Sequence, residues 1–194
     1  MRGRVVAFVL CAACLVAACG GSSTKDSQTS GGKKYVDALV ANYNKGKASG
    51  ATSVQYTDKQ IRCLSSSIVD AITVDTLQKN GITPAKAGGG VGIDKLGKKL
   101  SQATRTKLGK AFLDGSCYDA TTELAKEFQA SMGTQPAGAA KCMAKEVIAI
   151  PAFQQFIGDT TVGINAGTPF QGSVKKALQP AFTKCHVDQS KIGA

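Results

Sequence analysis

The first nineteen residues decide what the rest of the chain can fold into, because they set the compartment in which it folds. Arg2 and Arg4 give a positively charged start, and residues 5–18 form an uninterrupted apolar run. A helix that spans a bilayer needs about 20 apolar residues, so this run is too short for a stable span. A basic start, a short apolar core and small residues before a break are typical of a secretory signal peptide. We therefore predict that residues 1–18 are a signal peptide.

The end of this run is more specific than its length. Val16-Ala17-Ala18-Cys19 places an aliphatic residue and two small ones directly before a cysteine. This pattern resembles the lipobox of bacterial lipoproteins. The resemblance implies that Cys19 carries a diacylglycerol thioether, that the peptide before it is removed, and that acyl chains hold the protein on the outer face of the bacterial cell membrane. The competing interpretation is an ordinary signal peptide with a chance cysteine at its end.

A polar segment follows the lipobox. Residues 20–32, GGSSTKDSQTSGG, contain no large apolar side chain that could pack. A flexible chain of this length spans about 20 Å on average, enough to hold a domain just off a bilayer. We therefore predict that residues 19–32 are the lipidated cysteine and a flexible tether.

Cysteines constrain the remainder of the chain. Of the seven, Cys11, Cys14 and Cys19 lie at the signal, and four lie in the body, namely Cys63, Cys117, Cys142 and Cys185. An even number of cysteines in an exported body predicts disulfides. Four cysteines allow three pairings, so spacing alone does not choose among them.

The same order of segments occurs twice in the body of the chain. Each half opens on a helical stretch with a leucine and an aromatic residue four apart, which share a helix face. Each continues with a cysteine that opens an apolar helix, and each closes on an apolar helix that ends in cysteine. The corresponding residues are Leu39 and Tyr43, Cys63, and Cys117 in the first half, and Leu124 and Phe128, Cys142, and Cys185 in the second. Shared spacing in alanine-rich helices also arises by chance, which is the alternative to duplication.

No window shows the two-residue alternation of a strand. We predict an all-α fold, a small disulfide-stapled helical bundle built as a tandem of two similar units over residues 33–117 and 118–194. If each half is a unit, the pairs are Cys63–Cys117 and Cys142–Cys185. The pattern is similar to helical two-cysteine repeat units in exported proteins of high-GC bacteria. That family has no assigned activity, so the resemblance implies fold and location only.

Capping residues and helix breakers predict where the helices begin and end. Starts are expected at Thr57-Asp58, Thr73, Thr83-Pro84 and Thr168-Pro169, and stops at Gly81, Pro151 and Gly158. Ile93, Leu96 and Leu100 are expected to form a further apolar face after a glycine-rich loop at Gly88 to Gly92. Pro180 is expected to kink the last helix.

Composition and spacing disfavour several kinds of chemistry. The formal charge is +11, almost all of it from lysine, and there is no Trp. Few aromatic side chains and little arginine argue against nucleic-acid binding. His186, the only histidine, is expected to be solvated at a helix end, and Ser65, Ser66 and Ser67 to form a polar helix face. With no histidine-based metal set, no activated nucleophile and no phosphate loop, we expect neither a cofactor nor an enzyme.

One charge run stands above the background. Six basic residues and no acidic one occur between positions 95 and 110, namely Lys95, Lys98, Lys99, Arg105, Lys107 and Lys110. Such a run either solvates a helix or docks on an anionic lipid or wall polymer. The leading hypothesis is a non-catalytic envelope binding or structural module. The alternative is a carrier of a hydrophobic ligand held between helices. A protein partner is not identified by the sequence.

Overall fold

The computed structural model describes residues 26–50, 55–89, 92–132, 135–136, 138–164 and 168–189. The predicted signal peptide, the lipobox with Cys19, and the first part of the predicted tether lie outside the described residues. So do residues 90 and 91 of the glycine-rich loop. In the described part of the chain, no helix is both long enough and apolar enough to cross a membrane.

The described chain is all-α, which confirms the predicted fold class. It contains α-helices and two short 3-10 helices, and none of the described residues forms a strand. The α-helices are α1 (Ser30–Ala48), α2 (Asp58–Ile72), α3 (Val74–Lys79), α4 (Pro84–Gly88), α5 (Gln102–Leu113), α6 (Ala120–Ser131), α7 (Ala139–Ile148), α8 (Pro151–Thr161) and α9 (Thr168–Lys184). The 3-10 helices are Ile93–Lys95 and Gly97–Lys99.

Several helices begin where capping residues predicted. Thr57 and Gln60 form a capping box before α2, in which each side chain accepts a hydrogen bond from the backbone N–H of the other residue. The hydroxyls of Thr73 and Thr83 cap α3 and α4, and Pro84 occupies the first turn of α4. These side chains satisfy N–H groups that have no partner within the helix.

One predicted boundary is wrong. Gly158 does not end a helix but lies buried within α8, where α5 packs too closely to leave room for a side chain. Ile93, Leu96 and Leu100, expected as an apolar face, lie on the two 3-10 helices or at their ends. Leu96 and Leu100 are nevertheless buried, so the prediction of an apolar face there is confirmed for these two.

Both predicted disulfides are present. Cys63 is bonded to Cys117 and Cys142 to Cys185, with Cα–Cα distances of 5.4 and 5.6 Å. They close loops of 54 and 43 residues in sequence separation. In the chain-entropy account, each loop of this size stabilises the fold by about 4 kcal/mol through its effect on the unfolded chain.

Two hydrophobic cores form, one around each disulfide-linked half. The first packs helices α1 to α5 and the 3-10 helices together, with Tyr35, Val69, Ile72, Leu77, Leu96 and Leu108 among its buried side chains. The second packs α6, α7 and α9 together, with Met132, Met143, Val147 and Ala181 among its own. Aromatic residues Phe128, Phe153 and Phe182 are only partly buried against it.

Helices α5 and α8 cross at a pair of glycines and join the two halves. A Cβ atom at Gly109 would overlap the carbonyl oxygen of Gln154, and one at Gly158 would overlap that of Arg105. The missing side chains therefore let the two backbones touch. The Arg105 guanidinium also forms an ion pair with Asp159 across this crossing. We call this contact the glycine seam.

The seam links the units that the sequence analysis separated at residues 117 and 118. Helix α8 belongs to the second half in sequence, yet Val162 just after it is fully buried in the first core. The Gly97 N–H donates a hydrogen bond to the Val162 carbonyl at 3.1 Å. Duplication of the two halves stays a prediction, and their packing is continuous across the boundary.

The last part of the predicted tether packs on the body. Residues 26–29, which we call the N-terminal strap, precede α1 and lie against the junction of α2 and α3. Ser27 is 3% exposed, and its N–H and hydroxyl donate hydrogen bonds to the Asp70 carboxylate at 2.8 and 3.1 Å. The Val74 N–H donates one to the Asp26 carboxylate at 3.1 Å. Hydrogen bonds, rather than apolar side chains, hold this polar segment, which is why its composition did not predict packing.

Candidate anion-binding surface

The structure separates the six predicted docking residues into two kinds. Five lysines have exposed side chains, namely Lys95, Lys98, Lys99, Lys107 and Lys110. Lys95, Lys98 and Lys99 lie on the two 3-10 helices, while Lys107 and Lys110 lie one turn apart on α5. Exposed ammonium groups in these positions are free to meet an anionic surface.

Arg105 is not part of that surface, which corrects its prediction as a docking residue. Its side chain is only 17% exposed and is paired with Asp159. It also donates hydrogen bonds to the carbonyls of Leu100 and Gly97, just beyond and within the second 3-10 helix. Because a guanidinium group presents several donors in one plane, it can bind the carboxylate and the two backbone carbonyls at once. Arg105 therefore fixes the lysine-bearing turns to α5 and α8.

A pocket lies beside these turns. It has a volume of about 220 Å³ and is lined by three lysines, Lys86, Lys95 and Lys99, together with Ile82, Leu96 and Gly92. Lys98 does not line it, although it lies between Lys95 and Lys99 in sequence. Of these three neighbouring lysines, Lys95 and Lys99 therefore line the pocket, and Lys98 lies on the surface outside it.

Sequence reasoning missed Lys86. This residue precedes the charge run by nine positions and lies in α4, on the other side of the glycine-rich loop. The available signal was the start at Thr83-Pro84, which puts Lys86 in the first turn of a short helix. Nothing in that signal indicates that α4 lies against the turn that carries Lys95.

Core residues hold the two sides of the pocket in place. Tyr35, which is 2% exposed, donates a hydrogen bond from its hydroxyl to the Ile82 carbonyl at 2.6 Å. Leu96 is 1% exposed and lies between the two 3-10 helices. The Lys86 ammonium donates to the Gly81 carbonyl at 2.9 Å, which keeps it near the pocket. The apolar floor therefore belongs to the first core, and the lysines stand around it.

The N-terminal strap and the lysine-bearing helix α5 both contact Asp70. Lys107 on α5 donates a hydrogen bond to the Asp70 backbone carbonyl at 3.4 Å, while the Asp70 side chain accepts those of Ser27. The point where the chain enters the body is therefore within one side chain of the predicted docking lysines.

A second cavity lies where the two halves meet and has the opposite charge. It has a volume of about 460 Å³ and is lined by Tyr56, Tyr118, Asp119, Glu123 and Glu127, among others. Burial first, and then the neighbouring Tyr118 ring at 5.1 Å, raise the pKa of Tyr56 above its usual value.

Two of the carboxylates in this cavity have partners within α6. Asp119 caps the helix by accepting hydrogen bonds from Thr122, and Glu123 pairs with Lys126 at 2.8 Å. Both side chains of that pair are exposed on α6.

Two other candidate groups are placed by the structure. His186 is exposed directly after α9 and lies next to the bonded Cys185, as predicted. Ser65 does not lie on a polar face, because it is 1% exposed and its hydroxyl has no hydrogen-bond partner. Its helix turns this position into the first core. In the described part of the chain, no three His, Cys, Asp or Glu side chains cluster as a metal site would require.

No family model matches the chain. No curated protein and no solved structure shows significant similarity to it either. Its function is therefore inferred from its own residues.

Proposed function

We propose that the chain is an exported lipoprotein, anchored through Cys19 to the outer face of the bacterial cell membrane. There it acts as a non-catalytic envelope module that docks its lysine surface on anionic phospholipid. The lipobox supports the anchor, and one structural observation supports the docking. The N-terminal strap fixes the entry of the chain to Asp70, beside Lys107.

The covalent distance from the anchor to the strap limits where the body can lie. Asp26 is seven positions after Cys19, and an extended chain spans at most about 3.6 Å per position, or about 25 Å in all. The body is therefore held near the bilayer with its strap side closest. Each lysine near an anionic membrane contributes about 1 kcal/mol, so several together give measurable attachment.

The experiment begins with lipidation. In a bacterial host, the wild-type chain should incorporate labelled fatty acid, and Cys19→Ser should not, because the thioether needs the thiol. Equal labelling of both would end the lipoprotein hypothesis.

The lipidated chain is then placed in vesicles of phosphatidylglycerol or of neutral phosphatidylcholine and treated with an amine-reactive reagent. We expect Lys98, Lys107 and Lys110 to be protected only in the anionic vesicles, and to lose protection at high salt, since exposed charges are screened over about 8 Å at physiological ionic strength. Lys45, near the C-terminal end of α1, and Lys59, in the first turn of α2, are also exposed. They serve as controls and should react equally in both.

Uniform protection of all five lysines would contradict a specific docking face. If Lys98, Lys107 and Lys110 are not protected and the protein releases a stoichiometric lipid on denaturation, the docking hypothesis is wrong. The hypothesis of a hydrophobic-ligand carrier would then take its place. Preferential protection by added wall polymer instead of phosphatidylglycerol would move the docking partner from membrane to wall.

A further inference from the structure

We propose that the pocket formed by Lys86, Lys95 and Lys99 is a binding site for a single phosphate group. The inference rests on the proposed envelope function for its source of phosphate, and it names the ligand chemistry that the lysine surface recognises. It adds Lys86, which lies outside the charge run, and it excludes Lys98, which lies inside it.

Charge is the first argument. Three lysines line the pocket, and none of its described lining residues carries a carboxylate. The nearest acidic side chain in sequence, Asp94, is exposed and does not line the pocket, although its carboxylate accepts a hydrogen bond from the N–H of the lining residue Gly92 at 2.8 Å. The ion pairs found among the described residues do not include Lys86, Lys95 or Lys99. The excess positive charge of the pocket is therefore not neutralised by these carboxylates.

Shape is the second argument. A concave site with apolar walls concentrates the field of its charges, because field lines are excluded from the low-dielectric interior. Buried Ile82 and Leu96 supply such walls here. The volume of about 220 Å³ is below the range of about 300–1,000 Å³ that is usual for small-molecule sites. The ligand is therefore a compact anion and not an acyl chain.

Donor geometry selects phosphate among compact anions. A lysine ammonium has three N–H donors and acts as a point charge, which suits the oxygens of a tetrahedral phosphate. The fork of arginine matches carboxylate and phosphate alike, but the one nearby arginine, Arg105, is already committed to Asp159, so a ligand here meets ammonium groups. A carboxylate offers these groups two oxygens in one plane, whereas a phosphate offers its oxygens in three dimensions. Lys86 uses one N–H on the Gly81 carbonyl, so two remain for a ligand.

The test uses the full lipidated chain in neutral detergent, with two soluble probes measured by titration calorimetry at physiological ionic strength, where charges are screened over about 8 Å. Inorganic phosphate represents free phosphate, and glycerophosphoglycerol represents the phosphatidylglycerol headgroup without its acyl chains. We expect Lys86→Gln, Lys95→Gln and Lys99→Gln each to weaken binding about fivefold, the change that corresponds to about 1 kcal/mol.

Lys98→Gln is the matched control, since it removes the same charge from the adjacent position. It should change binding of the soluble probes by less than about twofold. Tighter binding of glycerophosphoglycerol would assign the pocket to a lipid headgroup, and tighter binding of inorganic phosphate would assign it to free phosphate.

Binding of neither probe, or an equal loss in Lys98→Gln and Lys99→Gln, would overturn the pocket. The result is separable from the proposed docking. Vesicle protection of Lys107 and Lys110 without phosphate binding would leave docking standing and remove the pocket. Phosphate binding without vesicle protection would support the pocket and remove the proposed docking.

Discussion

At the scale of single residues, the glycine seam depends on the absence of a Cβ atom at two positions. Gly109 and Gly158 each stand where a Cβ atom would overlap a carbonyl oxygen of the facing helix. In an isolated helix alanine is favoured over glycine by about 1 kcal/mol. Glycine at these two positions therefore opposes helix propensity and permits the close approach of α5 and α8.

Gly109→Ala should destabilise the protein, since the added methyl group must push the helices apart. Overpacking of this kind costs typically about 1–3 kcal/mol and outweighs the gain in propensity. Thermal unfolding followed by circular dichroism would measure a fall in Tm of several degrees.

Gly31→Ala is the control for that substitution. Gly31 lies in the first turn of α1, and its Cβ would meet other atoms only at 3.8 Å, an ordinary contact. This variant should be as stable as the wild type or slightly more so. A stable Gly109→Ala variant would show that the seam tolerates a side chain.

At the scale of elements, helix α6 is tied to pH through its cap. Hydrogen bonds from the Thr122 hydroxyl, and then from its N–H, hold the pKa of the Asp119 carboxyl below the ordinary value of 3.8. The folded state thus binds the proton less tightly than the unfolded state. The resulting stabilisation is complete above the unfolded pKa and is lost as pH falls through the lowered folded pKa.

We expect the Asp119 carboxyl to titrate below pH 3.8 in an NMR titration of the folded protein, with α6 amide signals shifting over the same range. Asp119→Asn keeps a capping oxygen and removes the charge, so α6 should keep its helicity and lose this acid dependence. Titration of Asp119 at or above its ordinary value would contradict the cap as the cause.

At the scale of the whole molecule, the seam decides whether the two halves unfold separately. Val162 is buried in the first core although it follows α8 of the second half, and Arg105 pairs with Asp159 across the crossing. Opening either half therefore exposes surface of the other. Such coupling predicts cooperative unfolding without a separate transition for each half.

Calorimetry should accordingly show one transition for the wild-type chain. Replacing Cys142 and Cys185 together by alanine should lower its stability by about 4 kcal/mol while the transition remains single. Two resolved transitions, with only one sensitive to this double substitution, would mean that the halves are independent after all.

Local rules predicted much of this fold, and long-range packing supplied the rest. The cap at Thr57 and the start at Pro84 are set by residues within one helical turn, so they are readable in sequence. The pairing Cys63–Cys117 followed from the repeated order of segments. Gly158 was mistaken for a helix stop. Glycine is needed there because α8 contacts α5, and the contacting residues lie about fifty positions earlier in the sequence.

The candidate site shows the same division. Lysines of the charge run were visible in sequence because charge is a property of composition. Arg105 was grouped with them, although the Asp159 carboxylate that binds it lies 54 positions away. Lys86 was left out because its approach to Lys95 depends on how the chain returns after the glycine-rich loop.

The two disulfide loops also determine how the protein responds to a protease. The first loop encloses residues 63–117, which include all three pocket lysines and both docking lysines of α5. A single backbone cut anywhere inside it leaves the two pieces covalently joined around the pocket of Lys86, Lys95 and Lys99. Between residues 117 and 142 the chain lies outside both loops. One cut there divides the covalent chain in two, and the pieces are then held together by noncovalent contacts such as the glycine seam.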